Sequence, residues 1–147
     1  MGVMKVFWDT NLFIYLIEET PNSFEEVISL RKAMLKNGDQ LATSTLTVGE
    51  VLVKPIQEKA TALVEKYKSL LYSPSIEIIS FSEAAAEKYA EIRATLTIKP
   101  PDAVQLACVS IAKADIFVTN DSRLSSRNIA GIGNIISLKE WRSYIKS

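Results

Sequence analysis

Four acidic residues, Asp9, Glu50, Asp102 and Asp121, each stand where an apolar segment begins or ends, and the 147-residue chain contains no histidine. Without an imidazole there is no side chain that titrates near neutral pH as an ordinary general base. The Ser-His-Asp triad, the Cys-His pair and histidine-bearing zinc sites are therefore excluded. Carboxylates gathered in one place repel one another unless a proton or a cation is shared among them, and the hard cations that prefer all-oxygen shells are Mg²⁺ and Mn²⁺. Taken singly, each acid has an ordinary reading. Asp9 would suit a helix cap, Asp102 would complement a helix dipole just after Pro101, Glu50 could pair with Lys54 one turn on, and Asp121 could close an Asx turn. The joint pattern favours a metal site, because three of the four fall on the same expected edge of one sheet.

The elements that must position these acids follow from periodicity and punctuation. Residues 3–8 read as a buried strand that Asp9-Thr10-Asn11 interrupts, and a helix is expected from near Asn11. Ser23 and Glu26 have the spacing of a capping box, followed by an apolar stripe from Phe24 to Leu35 and a stop at Asn37-Gly38. Gln40 to Ser44 predicts a short strand and Thr45 to Lys54 a short helix stopped by Pro55. Residues 56–71 have helical spacing, and 76–81 read as a strand. Ser82 caps a helix of strong helix formers, which gives way to Thr95 to Ile98. Pro101 suits the first position of a helix over 102–114 that is apolar on nearly every face, and the strand 116–119 follows. A weaker strand is expected at Ile135-Ile136, and Ser137 with Glu140 forms a capping box for a terminal helix through Trp141 and Tyr144. This alternation predicts an α/β domain spanning 1–147, with a parallel sheet covered on both faces and ligands gathering beyond the carboxyl ends of the strands.

Composition narrows the field. Lys+Arg and Asp+Glu are both 17, so no global basic field is available to hold a polyanion. A divalent cation in an acidic pocket reverses the local sign, which keeps a metal-dependent nucleic-acid enzyme open. The single cysteine, Cys108, sits in AVQLACVSIA and reads as a core residue. No apolar run is long enough to cross a bilayer and MGVMKVFW lacks the features of a signal peptide, so a cytoplasmic location is expected. Asp115 precedes the strand 116–119 and should lie on the sheet edge opposite Asp121, in a structural role. Arg93, Lys99, Arg123 and Arg127 are candidates for phosphate contact. Gly131-x-Gly133 leads into a strand and is not a nucleotide loop, and no P-loop is present. Trp8, Phe13, Tyr15, Phe24, Trp141 and Tyr144 read as core or interface residues and not as a base-stacking platform.

Four fragments, in this order, carry a resemblance: Asp9-Thr10-Asn11 after the first strand; Thr47-Val48-Gly49-Glu50; Pro101-Asp102-Ala103-Val104-Gln105-Leu106-Ala107; and Ala114-Asp115-Ile116-Phe117-Val118-Thr119-Asn120-Asp121. With them the sequence resembles the PIN-domain nucleases, and more narrowly the VapC-like toxins of type II toxin–antitoxin pairs, over nearly its whole length. The resemblance implies a three-layer α/β/α sandwich around a parallel sheet of about five strands, and an endoribonuclease dependent on Mg²⁺ or Mn²⁺. It implies that Asp9, Glu50, Asp102 and Asp121 form the catalytic acidic cluster. Asp9 and Asp102 would be the most direct metal ligands; Glu50 and Asp121 would bind the same metal, a second one or its water. Asn11 and Thr119 would orient the carboxylates. An RNA substrate, a small antitoxin and a homodimer are implied as partners. The Lys99-Pro100-Pro101 start and the sparse basic content depart from a typical toxin of this kind. Three other readings stay open: a catalytically silent PIN-like domain that binds RNA or protein, a housekeeping PIN nuclease without an antitoxin, and a phosphoacceptor or phosphatase domain built on Asp9. Against the last, the usual second acid two positions on is Asn11.

Overall fold

Successive residues of each strand feed two different cores, which is what a sheet covered on both faces requires. In β1 (Lys5–Trp8), Val6 and Trp8 pack on one face while Phe7 packs on the other, and in β4 (Ile116–Val118) Ile116 and Val118 share the first face while Phe117 joins the second. In the computed structural model, which describes residues 2–147, the remaining strands are β2 (Gln40–Ser44), β3 (Ile76–Ile79) and β5 (Asn134–Ile136). They form one sheet in the order β3-β2-β1-β4-β5, parallel throughout.

The helices divide between the faces. On one lie α1 (Thr10–Ile17), α2 (Ser23–Asn37), α3 (Thr45–Gln57), α4 (Thr61–Leu71) and a terminal 3₁₀ turn at Leu138–Ser143. On the other lie α5 (Glu83–Thr95) and α6 (Pro100–Ala112). This is the expected three-layer α/β/α sandwich. Cys108 is fully buried against the second face, as its apolar setting implied, and burial pushes its thiol up to about 11. Trp8, Phe13 and Trp141 are also buried, whereas Tyr144 is exposed.

Several local expectations need correction. The Ser23–Glu26 capping box does not form: α2 starts from Asn22, whose backbone is left-handed (φ 70°) and whose side chain caps nothing. Glu26 is drawn instead to Trp141 Nε1 at 2.7 Å and to Arg142, so tertiary partners take the carboxylate the cap would have used. Pro55 does not stop α3, which runs two residues further; it is buried and forgoes the bond its missing N–H would have made to the Val51 carbonyl, and the chain turns at Lys59 with φ 54°. β3 ends at Ile79, short of Phe81, and α6 starts at Pro100 and ends at Ala112. The Ser137–Glu140 box is present but opens a 3₁₀ turn. Gly133 is required by a close backbone approach, since a β-carbon there would lie 2.3 Å from the Asp115 carbonyl oxygen.

Candidate active site

Sheet order decides where the acids meet. The chain leaves β1 for β2 over one face, through α1 and α2, and reaches β4 over the other, through α5 and α6, so the carboxyl ends of β1 and β4 border the crevice where the winding reverses. Asp9 follows β1 directly, and its N–H donates to the Val118 carbonyl of β4 at 3.0 Å, which pins it at that crevice. Thr119 follows β4, with Asp121 two residues on. Asp102 sits in the first turn of α6, and Glu50 on α3, which starts from the end of β2.

Beneath the acids lies a buried polar network. Asp9 caps α1, its Oδ1 accepting from the Thr10 N–H at 2.8 Å; the same oxygen accepts from Gln105 Nε2 at 3.1 Å, and Oδ2 accepts from the Thr119 hydroxyl at 2.6 Å. The Thr119 hydroxyl in turn accepts from the Asp121 N–H at 3.1 Å, so one side chain fixes both acids. Gln105 donates its second amide hydrogen to Thr47 Oγ1 at 2.8 Å and accepts from Ser44, which also caps α3. Thr43 donates to the Trp8 carbonyl at 2.8 Å and lies 2.9 Å from Thr47 Oγ1. The Thr10 hydroxyl donates to Glu50 Oε1 at 2.6 Å. A network this deep in a low-dielectric interior holds its members in one arrangement, because breaking any bond strands a buried polar atom.

The expected orienting role of Thr119 thus has a geometric basis. That of Asn11 has none: its side chain is exposed and bonds to none of the four acids among the described residues. Gln105, Thr47 and Thr10 were not singled out in the sequence, although Gln105 had a signal as the one amide in the apolar run AVQLACV. Glu50 is exposed beside the buried Val51. It does not pair with Lys54, which reaches Glu58 at 3.9 Å instead. Asp115 lies at the opposite edge of the sheet, where it accepts from the Lys5 N–H at 2.8 Å.

Asp102 and Asp121 differ sharply. Among the described residues no hydrogen bond reaches the Asp102 carboxylate; partial burial, then the charges of Asp121 and Asp9 and, more weakly, Glu50, raise its pKa above the ordinary carboxylate range, with Arg123 opposing. Asp121 is held below that range, first by the Arg123 side chain, which donates Nε to Oδ1 at 3.0 Å and Nη2 to Oδ2 at 2.6 Å. The same Nη2 lies 3.9 Å from Asp102 Oδ2. Among the described residues no three acids stand close enough to cage an ion in this arrangement. A guanidinium sits instead between Asp121 and Asp102, a positive group lodged where repelling carboxylates face each other. The donor set of the four acids is all oxygen, which is the chemistry that suits a hard divalent ion.

Comparison with known proteins bears on the family and the fold. The family model of the PIN domain matches residues 6–129. Among curated proteins none matches the chain in sequence. Among solved structures, the fold is similar to VapBC2 from Rickettsia felis bound to a promoter DNA fragment (TM-score 0.72, 21% identity, covering 91% of this chain and 98% of that one). It is also similar to a toxin–antitoxin complex from Klebsiella pneumoniae (TM-score 0.66, 24% identity, 90% and 97% covered). A third similar structure is VapC20 from Mycobacterium tuberculosis, a sarcin–ricin loop cleaving toxin (TM-score 0.62, 13% identity, 76% and 86% covered).

Proposed function

The chain belongs to the PIN domain family, and from that premise we propose that it is a metal-dependent endoribonuclease that hydrolyses RNA phosphodiester bonds, acting as the toxin of a toxin–antitoxin pair. The observation that carries the reading is the crevice at the carboxyl ends of β1 and β4, where Asp102 accepts no hydrogen bond among the described residues and feels the charges of Asp121, Asp9 and Glu50. Asp9, Asp102, Glu50 and Asp121 are the residues that would hold Mg²⁺ or Mn²⁺. Such an ion, when bound, supplies a water activated at neutral pH and neutralises charge on the phosphoryl and departing oxygens.

The chain's own residues do the rest. Thr119 and Gln105 fix the Asp9 carboxylate from two sides, and Thr10 aims Glu50 toward the same crevice. Precise placement of ligands by such partners is what sets metal affinity in comparable sites. Arg123 holds Asp121 through two donors, and its guanidinium fork is of the kind that matches phosphate oxygens. Among the described residues no helix is long and apolar enough to cross a membrane. A cytoplasmic enzyme, a homodimer and a small antitoxin that covers the crevice complete the proposal; structures similar in fold include toxin–antitoxin complexes.

One observation favours a second reading: the two-pronged Arg123–Asp121 pair already neutralises one of the four acids, as a catalytically silent RNA- or protein-binding domain would allow. The test is cleavage of single-stranded and structured RNA by purified protein with Mg²⁺ or Mn²⁺. The nuclease is expected to cut, to stop on chelation, and to be silent as Asp102→Asn while still folded. No cutting by the wild type or by Arg123→Ala would favour the silent domain, and equal cutting by Asp102→Asn would mark a contaminant. Growth arrest on expression, relieved by a small adjacent gene product, tests the toxin role; harmless expression of an active enzyme would favour a housekeeping nuclease.

A further inference from the structure

Beside the four acids lies a cleft of about 530 Å³ whose rim carries Arg93, Lys99, Arg123 and Arg127, and whose one carboxylate is Asp102. In a chain with equal numbers of acids and bases this is a local excess of positive charge. Arg93, Lys99 and Arg127, like most of the chain's cations, form no ion pair among the described residues, so what sets them apart is that they line one cleft. Arg93 is instead steadied against Tyr89, donating to its hydroxyl at 3.2 Å with the guanidinium 6.0 Å from the ring centre.

The helix at the mouth of the cleft sharpens the point. A helix start ordinarily offers free amides to an anion. α6 begins Pro100-Pro101, so its first two residues have no N–H to offer, and Lys99 and the three arginines must supply the donors. Arginine forks match phosphate oxygens two at a time. Half-buried Leu96 and nearly buried Ile98 add an apolar part to the lining.

Resting on the reading of the acidic crevice as a phosphodiester-cutting centre, we propose that this cleft is the lane that grips the single-stranded RNA backbone next to the cut, with Arg93, Lys99 and Arg127 each neutralising a phosphate. A strand laid there leads directly to Asp102, and continuity with the acids is what distinguishes it from a surface patch. An acidic peptide would answer the same charges, but its carboxylates would run on into the acids at Asp102, whereas a phosphate could share a cation that those acids would hold.

The test is fluorescence anisotropy of a labelled 12-nucleotide single-stranded RNA on the full chain in EDTA, where nothing is cut, across a series of KCl concentrations. The triple variant Arg93→Gln/Lys99→Gln/Arg127→Gln is expected to bind at least about 10-fold more weakly in 0.1 M salt. Its log–log salt slope is expected to be shallower by about 2, as three lost phosphate contacts on a single strand require. The single variants Lys99→Gln and Arg127→Gln should each show a smaller share, while Lys36→Gln/Lys66→Gln/Lys113→Gln, changed on other surfaces, should bind as wild type. Wild-type affinity in the cleft variants, equal weakening in the control, or no RNA binding by the wild type would overturn the lane. Loss of poly-L-glutamate binding with RNA binding intact would overturn it in favour of an acidic peptide. Failure of the nuclease reading is seen separately, as no metal-dependent cleavage by a wild-type protein whose EDTA binding still follows the cleft.

Discussion

The two edges of the sheet use the same residue type in opposite ways. At the amino edge every acid has a partner: Asp115 accepts from the Lys5 N–H at 2.8 Å, Asp39 from the Met4 N–H at 3.0 Å, and Glu77 meets the Lys5 ammonium at 3.0 Å. Carboxylates there close off strand ends whose backbone donors would otherwise face solvent alone. At the carboxyl edge Asp102 has no hydrogen bond among the described residues, its pKa is raised by burial and by its acidic neighbours, and one guanidinium answers two acids. Asp9, Glu50 and Asp121 also accept hydrogen bonds, so the edges differ in Asp102, which has acidic neighbours and no donor among the described residues.

The comparison can be broken most forcefully with Asp102→Asn. RNA cleavage is expected to fall at least about 100-fold, the size seen when a group aimed at developing charge is lost. In chelator the same variant is expected to melt higher than wild type, because a repelled, partly buried charge has been removed; a gain of about 1 kcal/mol, or roughly 3 °C, is the scale for relieving a site of this kind. A lower melting temperature would mean Asp102 is structural, like the amino-edge acids. Gln105→Leu comes next. It takes a donor from Asp9 and strands Thr47 and Ser44. Activity or Mn²⁺ affinity should drop about 10- to 100-fold, with roughly 1–3 kcal/mol lost in urea unfolding. Unchanged metal affinity would break the claim that the network positions the acids.

At the amino edge Asp115→Ala is expected to lose about 1 kcal/mol, read as an earlier urea midpoint, with cleavage unaltered. An activity loss at equal stability would put Asp115 in the site. The smallest effect is on pH dependence. Folded Asp102 keeps its proton above the ordinary carboxylate range, so between that range and its own raised pKa the folded chain holds a proton the unfolded chain has released. Its contribution to stability therefore declines as pH rises through that window. Asp121 is shifted downward, and its contribution is present above the ordinary value and lost as pH falls through its lowered one. In chelated protein, the difference in stability between wild type and Asp102→Asn should thus widen as pH rises across the Asp102 window; a constant difference would remove the charge argument.

Much of this was legible in the residues. Alternation of Val6, Phe7 and Trp8 between two faces and the order of strands and helices give the sandwich, and the placement of Asp9 and Asp121 after apolar strands gives the edge. What could not be read was whatever depended on partners distant in the chain. Glu26 was taken from its cap by Trp141 and Arg142, and Pro55 is buried within α3 although its local signal is a stop. Gln105 became a support for Asp9 through a packing of α6 against β2 and β3 that no local pattern states. The Arg123 fork on Asp121 spans two positions, yet its approach to Asp102 required the fold.

The central claim is that the carboxyl-edge acids bind a divalent cation which the amino-edge acids do not, and calorimetric titration of Mn²⁺ into metal-free protein addresses it without reliance on any substrate. Wild type and Asp115→Ala are expected to bind saturably and alike, and Asp102→Asn to show at least about a 10-fold loss of affinity. No saturable binding by the wild type, or equal binding by Asp102→Asn, would contradict it.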